Sequence, residues 1–172
     1  MNRQIRKEDG FTLIEILVVI AIATMFAGIG MAAMKYLGGT KASAASMQVQ
    51  NLQRAAVQWK QNTSSTNYSA IPTTLNATAG DLVDRGLANS TDGTSPWQGT
   101  NAIASANAGA SFAITIGGTD SANSCNDLAA QINGTYGTSV VVMTGATTLC
   151  TGGACSGTCT AGGPVASTFS NM

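Results

Sequence analysis

The stretch GFTLIEILVVIAIATMFAGIGMAAM, from Gly10 to Met34, decides how this chain is organised. Between Glu15 and Lys35 lie 19 consecutive residues without a charge. As a helix they extend about 28 Å at about 1.5 Å per residue, close to the roughly 30 Å hydrocarbon thickness of a bilayer. Leu, Ile, Val, Met and Phe go all the way round such a helix, so no polar face is left to turn to water. The segment is therefore expected to span a membrane or to be buried among other copies of itself. Gly28 and Gly30 interrupt it, each at a cost of about 1 kcal/mol relative to Ala in a helix interior. A small-residue face for close helix packing is the simplest account of them.

Glu15 departs from this pattern. A carboxylate at the bilayer centre costs roughly 2.5–3.5 kcal/mol. Near the edge it can snorkel to the headgroups; the sharper reading is a buried charge with a designated partner. Its context favours the second: a leader carrying Arg3, Arg6 and Lys7, then Gly10, then an aromatic, then Glu15 at the fifth position after the glycine. The leader cations stay on the cytoplasmic side and place the residues after Lys35 outside the inner membrane. An ordinary secretory signal competes, because Ala21-Ile22-Ala23 has the form of a cleavage site. Against it, the uncharged run continues eleven positions beyond Ala23, to Met34, and Glu15 would fall inside the apolar core of that signal.

Taken together, the basic leader, Gly10, Phe11, Glu15 and the apolar run resemble the class III signal of type IV pilins and their relatives. The resemblance implies that a prepilin peptidase cuts after Gly10 and methylates the new amine of Phe11. It also implies that Glu15 pairs with the Phe11 amine of a neighbouring subunit in a filament. The fold it implies is α+β, a long N-terminal helix packed on an antiparallel sheet. On that reading residues 1–10 are the leader and 11–34 the hydrophobic helix. Residues 35–62 are the amphipathic half of the same helix, and 63–172 the globular head.

Length and composition fit this division. The 172 residues leave room for one anchor helix and one domain of ordinary size. Eight basic residues balance eight acidic ones, so no strong field is available to hold nucleic acid. Charged residues make up only 9%, against about 25% in ordinary domains, which suits a subunit packed against many copies of itself. The absence of histidine removes Ser-His-Asp and Cys-His nucleophiles. No phosphate-cradling fingerprint appears; no cofactor and no metal are expected. Asp81, Asp84 and Asp92 match no calcium loop and read as solvated loop acids. The five Asn-x-Ser/Thr triplets follow from the richness in Ser and Thr.

All four cysteines, Cys125, Cys150, Cys155 and Cys159, lie in the exported part, where an even count reads as two disulfides. Four thiolates could hold zinc, but paired C-x2-C knuckles are missing. Four cysteines allow three connectivities, and helical spacing only puts Cys125 on the apolar face of its helix. The pilin resemblance implies a long bridge, Cys125 to Cys159, enclosing the variable region just ahead of the last strand. Cys150 and Cys155 would then close a small local loop.

The head reads as follows. Ala45, Val49, Leu52, Ala56 and Trp59 recur at spacings of four and three, one stripe of a helix, with Trp59 as a core residue and Gly38-Gly39 as the place for a bend. Residues 63–80 read as loop, and Asp81 to Ala88 as a short helix with Asp81 and Arg85 as an i,i+4 pair. Ser95-Pro96-Trp97-Gln98-Gly99 resembles the Pro-Trp-Gly-like turn that precedes the sheet in pilins and pseudopilins. Phe112 to Ile116 alternates as a strand. Ser121 to Asn133 reads as helix, with Gly134 placed to end it. Val140 to Met143 is a second strand, a Gly/Thr/Cys-rich loop follows, and Val165 to Phe169 is the last strand. A helix between strands with an early cysteine resembles type IVb pilins; the short leader and Phe11 resemble type IVa.

These readings imply a structural protein rather than an enzyme: a type IV pilus subunit that polymerises through its N-terminal helix. Its partners would be other copies of itself, the prepilin peptidase and assembly machinery, and no nucleic acid. It would sit in the inner membrane before assembly and in an extracellular filament afterwards. A minor pilin or a type II secretion pseudopilin is the alternative. A membrane-anchored binding domain is a third, and it predicts a pocket with convergent polar groups.

Overall fold

The computed structural model describes residues 13–75, 81–144, 147–151, 154–157, 159 and 163–170. The side chains of residues 27–38 within the first helix fall outside this description. The chain divides into two compact units, Met1–Leu37 and Gly38–Met172. The order of elements is α1 (Leu13–Asn62), β1 (Ala102–Ala106), β2 (Ser111–Ile116), α2 (Ala122–Tyr136), β3 (Val140–Thr144), β4 (Thr147–Thr151), β5 (Ala154–Cys155) and β6 (Val165–Ser170). Helix and antiparallel sheet together give an α+β fold.

In the second unit the six strands form one sheet in the order β1-β2-β6-β3-β4-β5, every neighbouring pair antiparallel. The last strand, β6, lies between β2 and β3, so the chain passes from β2 to β3 through α2 as a crossover. Registers align Ile103, Ile114, Ser167, Val142 and Cys150 in one row across the sheet. All five are buried. A parallel row holds Phe112, Phe169 and Val140, and Phe112 and Phe169 stack with centroids 5.3 Å apart. Alternation along each strand sends these side chains to the same face.

The α1 stripe closes over that face. Ala45, Val49, Leu52 and Ala56 are fully buried and Trp59 nearly so, in one core with the sheet residues. Small residues at 42, 45, 55 and 56 let the helix backbone approach closely. Polar contacts fix the remaining side of the helix. The Gln48 amide donates to the carbonyl oxygens of Thr91 and Thr94 and accepts from Asn101 Nδ2 at 3.1 Å. Asn101 Oδ1 in turn accepts from the Gly117 N–H.

The turn at Ser95–Gly99 is held by Ser95. Its hydroxyl donates to the Gly117 carbonyl at 2.6 Å and accepts from the N–H groups of Trp97 and Gly99. Gln98 takes the left-handed conformation, φ 67°, a region that favours glycine. Gly99 and Gly117 pass so close that a Cβ on either would collide with the other strand's backbone.

Three local expectations change. The segment Asp81–Ala88 forms one turn rather than a helix, because Gly86 adopts φ +67° and ends it. Asp81 Oδ1 accepts from the N–H groups of Val83 and Asp84, and the Arg85 N–H reaches the Asp81 carbonyl. Asp81 and Asp92 are buried, not solvated: their carboxylates are engaged by backbone N–H groups, that of Asp92 by Asn89. Helix α2 passes Gly134 and stops at Tyr136, where Gly137 takes φ 56°. The Tyr136 ring packs edge-on against Phe169 at 4.9 Å and holds that last turn.

Candidate assembly segment

In the first unit, α1 begins at Leu13 and carries Glu15 in its first turn, where a negative charge is favoured by the helix dipole. Gly10 and Phe11, the residues of the expected cleavage and methylation, lie outside the described residues. From residue 13 to 26 every side chain is exposed. Leu13 is 82%, Met25 74%, Ile14 73% and Phe26 71% accessible. No polar face interrupts this surface. Thr24 hides its hydroxyl by donating to the Ala21 carbonyl at 2.9 Å, so the helix presents hydrocarbon even there. Exposed apolar surface of this extent marks a site of association.

Glu15 lies along a shallow groove with Ile16, Val19 and Ile20. It makes no ion pair among the described residues. A carboxylate at the rim of an apolar groove can pair with a cation that a second molecule carries beside hydrocarbon. Among the described residues no helix is long and apolar enough to cross a membrane; residues 27–34 of the expected span lack described side chains.

The second unit holds the cysteines. Cys125 bonds Cys159, 34 residues apart, and Cys150 bonds Cys155, five apart. The first joins the start of α2 to the segment before β6. The Cys159 N–H donates to Asn126 Oδ1 beside it. The second sits on the β4–β5 pairing itself, Cys150 opposite Cys155.

One polar cluster was not legible as a site. Asp120, just before α2, accepts from Lys41 Nζ at 3.1 Å and from Ser124 Oγ at 2.6 Å. The Ser124 hydroxyl holds its carboxyl below the usual range; partial burial opposes that shift, and Lys41 adds to it. Ser121 caps α2, its oxygen accepting from the Ser124 N–H. The Asp-Ser-x-x-Ser spacing announces the cap, but nothing in the sequence announces Lys41, 79 residues away. Among the described residues no group of His, Cys, Asp and Glu could hold a metal ion.

No curated protein matches the chain. The family comparison does recognise its start: over residues 5–31, which include Gly10, Phe11, Glu15 and most of the apolar helix, the chain carries the prokaryotic N-terminal methylation motif, the type IV prepilin and pilin signature.

Proposed function

We propose that this chain is the structural subunit of a type IV pilus. Prepilin peptidase removes residues 1–10 after Gly10 and methylates Phe11. The mature chain waits in the inner membrane and then polymerises through residues 11–34, with Glu15 pairing with the Phe11 amine of its neighbour to select the register. The head, residues 63–172, gives the filament its outer contacts and its surface for cells or substratum. No catalysis is assigned to it.

The observation that carries this reading is the join of two features in one segment. A methylation motif at residues 5–31 opens a helix whose described apolar side chains are exposed all round. Such a helix needs hydrocarbon or its own kind around it. The motif by itself supports a type IV pilin or pseudopilin; the low charge of the chain, 9%, favours a subunit packed in many copies. Intact-mass measurement of a sheared cell-surface fraction tests the reading. The expected result is abundant filaments of a chain beginning at methylated Phe11. Retention of Met1, or a terminus near Thr24, would remove it.

A further inference from the structure

The two bridges of the head differ in how a reagent from solution meets them. In Cys125–Cys159 the first residue is fully buried and the second half-buried. In Cys150–Cys155 the contrast is wider. Cys150 is buried, paired with Val142 of β3 in the core-facing row. Cys155 is exposed on β5, the strand at the edge of the sheet, and so are Ala154 and Ser156 on either side of it. A thiolate arriving from solvent therefore reaches Cys155 and not Cys150.

The fold also provides for the opened bridge. The N–H groups of Ser156 and Gly157 donate to the Leu149 carbonyl at 3.0 and 3.1 Å, and Thr151 pairs with Ala154. These backbone bonds hold β5 on β4 without help from the sulfurs. On the buried side, Cys150 Sγ lies 3.7 Å from the Ala129 carbonyl oxygen of α2. A bridged sulfur carries no proton to give, but a thiol does. Reduction at Cys150 thus creates a donor where an acceptor already waits.

We propose that Cys155 is a thiol-exchange site for low-molecular-mass thiols. The external thiolate attacks Cys155 Sγ and forms a new S–S bond there. The Cys150–Cys155 bond breaks, and its electron pair leaves on Cys150 Sγ. That sulfur takes a proton from solvent and donates it to the Ala129 carbonyl. One disulfide replaces another, with no net oxidation or reduction. The product carries its adduct on the exposed edge strand and keeps its free thiol in the core. Return requires Cys150 to attack from a position only 1% accessible, and this protects the adduct. The head thereby gains a covalent attachment point, independent of whether the chain forms filaments.

Reduced glutathione added to the full-length chain in detergent micelles, with acid quenching and peptide mapping, tests the site. Early samples should carry glutathione on Cys155 in at least about tenfold excess over Cys150, since access selects the attacked sulfur. Cys150 should be a free thiol, Cys125–Cys159 intact and the circular dichroism parental. Glutathione on Cys150, earlier opening of Cys125–Cys159, or opening only after the head unfolds overturns the site. If both sulfurs are reduced before an adduct is captured, single-thiol variants decide. Cys150→Ser leaves the thiol of Cys155, and Cys155→Ser that of Cys150. An aromatic disulfide reagent should label the first at least about tenfold faster than the second. Equal rates overturn the proposal.

Discussion

Glu15 and Asp120 are carboxylates in contrasting settings, the first without an ion pair among the described residues and the second paired within its own chain. On the proposed assembly Glu15 has its counter-charge on another chain, so its removal should leave the monomer intact and strike the filament. Glu15→Leu keeps the size and removes a membrane penalty, so membrane insertion should match or exceed that of the parent. Assembly should fall by about two orders of magnitude or more, since breaking one side of a buried pair costs about 3–5 kcal/mol. Sheared-filament yield against the membrane pool measures this, and normal yield would remove the pairing. Asp120 has its partners in its own chain, with its carboxyl held low by Ser124 first and by Lys41 as well. A depressed carboxylate contributes stability above its unfolded pKa of about 3.8 and loses it as pH falls through the folded value. The pair is half-exposed, so the contribution is under about 1 kcal/mol. Asp120→Asn should lower the melting temperature slightly at pH 7, and the gap to the parent should close as pH falls through the lowered folded value of the Asp120 carboxyl. A gap that persists at pH 2 would show that the side chain acts by shape rather than charge.

At the scale of elements, periodic hydrophobicity was legible and backbone crossings were not. The α1 stripe, β2, β3 and β6 follow from spacing alone because one buried face repeats in each. Strands β1 and β4–β5 were hidden. β1 is Ala-Ile-Ala-Ser-Ala, with a single large side chain in it. β4 and β5 are carried by Thr and Cys in a stretch that reads as loop. Burial of Asp81 and Asp92 was equally hidden, since backbone N–H partners have no sequence signature. The glycines divide in the same way. A Cβ at Gly117 would collide with the Thr100 backbone beneath the Ser95 turn, whereas one at Gly134 meets nothing within 4 Å. Gly117→Ala should therefore destabilise the chain by about 1–3 kcal/mol as an overpacked core site. Gly134→Ala, in an open helix interior, should stabilise it by up to about 1 kcal/mol. Denaturant unfolding of the two full-length variants in detergent checks both signs. A neutral Gly117→Ala would mean that the crossing yields without cost.

For the whole molecule, the topology makes the C-terminal strand both central and late. β6 completes the sheet between β2 and β3, so the head is assembled only when residues 165–170 return to the row laid down by residues 111–116 and 140–144. The Cys125–Cys159 bridge acts on this step, because it joins the first turn of α2 to the segment entering β6 and encloses β3, β4 and β5. Restricting the unfolded chain over 34 residues stabilises the fold by about 4 kcal/mol in the loop-entropy account, against about 2 kcal/mol for a five-residue loop. The Cys150–Cys155 bridge is also nested within the first and repeats a link that the β4–β5 pairing already makes. The two bridges should therefore differ in consequence. Cys125→Ser should cost the larger share of stability and leave little chain that can be exported and assembled, while a Cys150→Ser/Cys155→Ser double variant should still form filaments. Thermal unfolding and sheared-filament yield of the two variants decide it. Equal losses would mean that the small hairpin at the sheet edge, and not the return of β6, limits the stability of the head.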